Sequence, residues 1–182
     1  MRMHPSDLRA CGLATAHRCS PAMRILLAVL AAFVGMSCMA LVVSLVEALG
    51  HAAFPASPEM IAALEKLQAG DPTANEAMEA ALPTMPAGSF ASIVLAWILG
   101  AMAGPGCAAV VHGAFTRTLT PATCRRFGIF FAALMLASCL ANLLTIPSPA
   151  WMVAAGAVLP PAAALWVGFR MAANRSAPAA SS

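Results

Sequence analysis

Glu47 and His51 have the types and spacing best suited to chemistry in this chain. They stand in S-L-V-E-A-L-G-H, residues 44–51, at the end of a long apolar run. Four residues apart on a helix, two side chains face the same way. Apolar surroundings hold a proton on a carboxyl group and a nearby cationic imidazole loosens it, so such a pair can exchange a proton near neutral pH. The pair also offers one oxygen and one nitrogen ligand to a divalent metal. A tetrahedral site needs at least a third protein ligand, and no second histidine lies on that side, so no metal is expected. Asn142, Thr145 and Ser92, with Ser89 beside it, fall at the same depth in the apolar runs described next. The expected candidate polar cluster is therefore Glu47, His51, Asn142, Thr145 and Ser92. Its roles stay open: hydrogen bonds in which Glu47 meets Asn142 or His51 and pins the first span to the third, a proton-linked or substrate-binding site, or metal ligation.

The elements that must position these residues follow from composition. The chain has 182 residues, 61% hydrophobic and 9% charged, with a mean hydropathy of +0.83. Soluble domains carry roughly 25% charged residues, so the missing charge points to lipid as the solvent. A net charge of +3 without a basic stripe gives no nucleic-acid partner. Apolar runs over about 25–49, 90–111, 127–146 and 151–171 are each long enough for a bilayer, which takes about 20 residues. Chain crossing lipid must satisfy its own backbone hydrogen bonds, so the runs are expected to be helices. The expected fold is all-α, a four-helix transmembrane bundle over residues 23–171. Residues 1–22 are expected to be an extension outside it, and 172–182 a disordered tail rich in Ala and Ser.

Arg2, Arg9, Arg18 and Arg24 precede the first run, Arg117, Arg125 and Arg126 lie between the second and third, and Arg170 and Arg175 end the fourth. The excess of basic residues on cytoplasmic loops then predicts that both termini are inside. It also places the loop 50–89, which holds Glu59, Glu65, Asp71, Glu76 and Glu79, outside. Within that loop E-M-I-A-A-L-E-K-L-Q-A-G predicts a short helix with Met60, Ile61, Leu64 and Leu67 on one side and Gly70 as its stop. D-P-T-A-N-E-A-M-E-A-A-L predicts a second, with Asp71 as N-cap and Pro72 at the first position. These helices are expected on the membrane surface or as a cap on the bundle.

Ala96, Gly100, Gly104 and Ala108 recur every four residues in the second run. Such a face lets helix backbones approach closely in lipid, and its partner is either another span or a second copy in a homodimer. Pro105, Pro160 and Pro161 each remove a backbone donor inside a run, which predicts bent helices. Cys11, Cys19, Cys38, Cys107, Cys124 and Cys139 show no C-x-x-C spacing, and the reading for them is small buried hydrophobes. His112 is expected at the interface beside Arg117, and Trp151 and Trp166 as interface anchors. No HExxH, GxSxG, Walker or dinucleotide motif occurs, so no cofactor is expected.

E-A-L-G-H-A-A-F-P at 47–55, W-x-x-G-A from Trp97, D-P at 71–72 and A-N-L-L-T-I-P-S-P-A-W at 141–151 together resemble a family of small bacterial four-span membrane proteins with no assigned biochemical function. The resemblance covers about residues 23–171. It implies the topology and an inner-membrane location, and no substrate. Where relatives often read I-P-H-P, this chain has Ser148, which speaks against a site needing a histidine there. The leading functional expectation is a non-enzymatic integral membrane protein, structural or accessory. The alternative is a small proton- or cation-linked transporter or channel component using the cluster around Glu47.

Overall fold

An apolar stretch in lipid can bond all of its own backbone as a helix, and the computed structural model is almost wholly helical over its described residues, 21–116 and 119–176. They are α1 (Pro21–Ala53), α2 (Pro58–Gln68), α3 (Ala74–Ala81), a single 3₁₀ turn (Leu82–Thr84), α4 (Ala87–Thr116), α5 (Pro121–Thr145) and α6 (Ala150–Ser176). The long helices α1, α4, α5 and α6 are each apolar and long enough to cross a membrane, so the protein is a multi-pass membrane protein. The expected spans are present, with longer ends. Helix α5 starts at Pro121, where Thr120 accepts a hydrogen bond from the Thr123 amide at 3.2 Å as its N-cap.

One sequence expectation shifts. Helix α6 runs on to Ser176 with Ala172 fully buried, so 172–176 is helix and not disordered tail. The remaining tail lies outside the described residues, as does the extension up to residue 20. Pro105, Pro160 and Pro161 lie within continuous helices and do not end them. Each still leaves the carbonyl four residues back, at Ala101, Gly156 and Ala157, without its usual intrahelical donor.

Helix α4 is the central element. Half of its apolar window is buried, against 11% of that of α1. It packs on α1, α5 and α6, while α5 and α6 form an antiparallel hairpin across the turn at 146–149. The α1–α4 register is read from its glycines. Gly35 faces Gly104 and Ala108, Gly100 faces Met39 and Val43, Gly50 faces Ser92, and Gly88 faces Phe54. Numbers rise on one helix as they fall on the other, so the pair is antiparallel. A Cβ at Gly35 would lie 2.6 Å from the Gly104 carbonyl oxygen, closer than side-chain carbons approach. The stripe Ala96, Gly100, Gly104 and Ala108 is buried throughout; Gly100, the Gly104 carbonyl and Ala108 meet α1 of the same chain, while a Cβ at Gly104 would meet Phe131 of α5.

A second small-residue stripe runs down α6: Gly156, Pro160, Ala164, Gly168 and Ala172, all buried. Its closest point is Gly168, where a Cβ would stand 2.6 Å from the Gly128 Cα on α5. Phe131 of α5 is fully buried at the centre and reaches both Gly35 and Gly104. The other faces of α1 carry exposed apolar residues such as Ile25, Phe33, Leu41 and Leu45, as lipid-facing helix requires.

The short helices cap one end of the bundle. Helix α2 ends in a Schellman turn: Gly70, at φ 71°, donates to the Leu67 carbonyl at 3.1 Å, and the Asp71 amide donates to Lys66 at 3.0 Å. Helix α3 begins at Ala74, later than the sequence suggests. Asp71 instead closes the turn that enters it, accepting from the Thr73 amide and hydroxyl at 2.8 Å each. Those two bonds hold the Asp71 carboxyl below its ordinary range. A hydroxyl chain joins the cap's two ends. The Met60 amide donates to Ser57 Oγ at 3.2 Å, Ser57 Oγ and Thr84 Oγ1 lie 2.6 Å apart, and Thr84 Oγ1 donates to the Ala81 carbonyl at 2.7 Å. Met60 and Ala63 are the buried face of α2, while Ile61 and Leu67 are exposed, so the buried stripe is narrower than expected.

Candidate functional site

At 33 residues, α1 is about 50 Å long at 1.5 Å per residue. That exceeds a hydrocarbon core of about 30 Å, so its last turns reach the edge of the apolar layer beneath the cap. Glu47 and His51 stand on those turns and Asn142 on the last turn of α5. The three line one cavity of about 270 Å³. Its roof is Met60 and Leu64 of α2 and Met78 of α3, and its floor includes Phe90 and Ile93 of α4 and Met152 of α6. Behind that floor Phe90 packs edge-to-face with Trp151, with centroids 6.4 Å apart at 89°.

The cavity exists because α1 packs on α4 and leaves a gap toward α5. A second cavity of about 240 Å³ continues along that gap, between Met39 and Val43 of α1 and Met135, Ser138 and Cys139 of α5. Asn142 lines both, so it stands where they adjoin.

Glu47 is half-buried, and His51 and Asn142 are exposed. Among the described residues none of the three side chains hydrogen-bonds another, so the Glu47–Asn142 or Glu47–His51 bond that would pin α1 to α5 is not formed. The carboxylate and the imidazole instead border the cavity. Thr145 and Ser92 do not join them. Thr145 Oγ1 donates to the Ala141 and Asn142 carbonyls of its own helix, at 2.9 and 3.0 Å. Ser92 Oγ donates to the Ser89 carbonyl at 2.8 Å. A hydroxyl in an apolar helix satisfies itself most readily on the preceding turn. Ser89, buried, donates to the Phe54 carbonyl at 3.1 Å and ties the end of α1 to the start of α4. Ser148 lines the cavity, with its hydroxyl donating to the Ile146 carbonyl at 3.0 Å.

His112, expected at the interface, is buried at 8% exposure against the Phe127 ring, with centroids 5.7 Å apart. It is at the opposite end of the bundle and plays no part in this site. Sequence reasoning missed the methionine lining. Met60, Met78, Met85 and Met152 all border the cavity, and their flexible thioethers let its walls adapt in shape. The available signal was the count of 12 methionines in 182 residues, although spacing along the chain does not bring these four together.

The arrangement can hold a small ligand with a positively charged or proton-donating end at Glu47 and an apolar body against the methionines. Among the described residues no group of three or more His, Cys, Asp or Glu side chains is placed to hold a metal ion. Comparison of the chain with protein-family models, with curated proteins and with solved structures found no match.

Proposed function

We propose that this chain is a bacterial inner-membrane protein, with both termini cytoplasmic, that binds a proton or small cation at Glu47 as a component of a transport or channel system. The arginine distribution supports the orientation. It puts the cap and the cavity beneath it on the outer side.

One observation carries the reading. The Glu47 carboxylate borders a cavity of about 270 Å³ and has no hydrogen-bond partner in Asn142 or His51. An ionisable side chain within a membrane span faces the bundle interior or a water-filled cavity and is a functional candidate by default. A purely structural role for Glu47 rests on an interhelical bond worth about 0.6 kcal/mol, and that bond is not made.

The test compares wild type with Glu47→Gln, by melting in detergent and by proton or cation uptake in liposomes. Gln keeps the shape and drops the charge. The expected result is a melting temperature equal or higher in the variant, because functional residues are kept at some cost in stability, together with loss of uptake. A variant that melts clearly lower with uptake unchanged assigns Glu47 to the structure, and the protein to an accessory role.

A further inference from the structure

We infer that Cys38 and Cys107 form a membrane-embedded dithiol that a lipid-soluble quinone oxidises to a disulfide, stapling α1 to α4. Their sulfur atoms lie 2.7 Å apart although the residues are 69 apart in sequence. Among the described residues this is the one cysteine–cysteine contact, and Cys124 and Cys139 stand separately on α5.

The backbone explains the meeting. Gly35 sits between Gly104 and Ala108, so the two helix backbones approach closely beside this pair. Cys38 is one turn beyond Gly35, and Cys107 lies within the facing turn of α4. Side chains on a helix lean toward its N-terminus. In an antiparallel pair that lean brings Cys38 and Cys107 toward each other. A disulfide needs Cα atoms within roughly 4.4–6.8 Å, and small residues at a crossing are what permit such an approach.

The surroundings select the oxidant. Both cysteines are half-buried, and the residues one turn on, Leu41 and Val110, are exposed apolar side chains on the lipid-facing surface. Cys38 lies near the middle of α1, a depth that a lipid-soluble electron acceptor reaches through the hydrocarbon. The two thiols give up two electrons and two protons as one S–S bond forms, and the quinone takes them up to become the hydroquinone. The bond tethers the helix with the least buried surface to the most buried one.

The test uses the full chain in membranes. Samples are treated with decylubiquinone, remaining thiols are capped with N-ethylmaleimide, and the protein is denatured and cut with endoproteinase Lys-C. Lys66 is the chain's one lysine, and it separates Cys38 from Cys107. The two pieces are expected to run together without reductant and apart with it. In Cys38→Ser and Cys107→Ser they run apart in both conditions, and in Cys124→Ser and Cys139→Ser they stay joined. Wild-type pieces that separate after quinone treatment overturn the inference. So do pieces that remain joined in Cys38→Ser or Cys107→Ser.

Discussion

At Asn142 the two cavities adjoin, and its exposed amide makes no hydrogen bond that holds the bundle together. Replacing Asn142 by Leu keeps most of the volume and removes the polar wall. The expected change in stability is within about 0.5 kcal/mol, as for substitutions away from packed or bonded sites, while uptake in liposomes falls. Phe131 is the opposite case, fully buried where α1, α4 and α5 meet. Phe131→Ala is expected to lower the melting temperature. Its cost is about 2 kcal/mol, below the 3–5 kcal/mol of a soluble core, because lipid solvates apolar surface about as well as the bundle does. Thermal melts in one detergent compare the two. Glu47, His51 and Asn142 were legible as a group because charge and amide are rare in such sequence and depth can be counted along a span. The exclusion of Thr145 and Ser92 was not. Whether a hydroxyl turns outward or back to its own helix depends on what its neighbours offer.

Helix pairing rests on small residues, and it predicts different outcomes for similar substitutions. A Cβ at Gly168 meets the Gly128 backbone, which cannot give way as a flexible side chain can. Gly168→Val is expected to cost about 1–3 kcal/mol, as overpacking does. Gly106 has open space where its Cβ would be, so Gly106→Ala is expected to be neutral or to stabilise by up to about 1 kcal/mol. Melting of the two variants beside wild type checks the contrast. In the cap, Asp71 is held below its ordinary pKa by Thr73. Its contribution is therefore present above the ordinary value and lost as pH falls through the lower folded value. Hydrogen exchange at the amides of 73–77 is expected to be faster in Asp71→Asn than in wild type at neutral pH, and the difference fades in strong acid. The α4 stripe was readable in advance from its four-residue spacing, and the α6 stripe had the same spacing with a proline in it. Which helix each stripe meets was not readable, because spacing shows that a face is small without showing what it faces.

Over the whole molecule, α1 is a helix attached along one side to α4, with lipid on much of the rest, and the gap it leaves toward α5 is the cavity. The proposed orientation places exposed Lys66 outside. A membrane-impermeant amine reagent applied to intact spheroplasts is then expected to label it, and peptide mapping that finds it unlabelled until the membrane is permeabilised reverses the topology. The sequence by itself determined that four stretches cross lipid, that they are helices and that a short helical pair follows the first. The bilayer demands about 20 apolar residues with internally bonded backbone, which is a local requirement written in consecutive residues. Only the tertiary structure decided that α4 is central, that α1 stands off α5, that Glu47 borders a cavity instead of bonding Asn142, and that Cys38 meets Cys107. In lipid the hydrophobic effect does not rank one apolar face above another, so helix order is left to close packing between residues far apart in the chain.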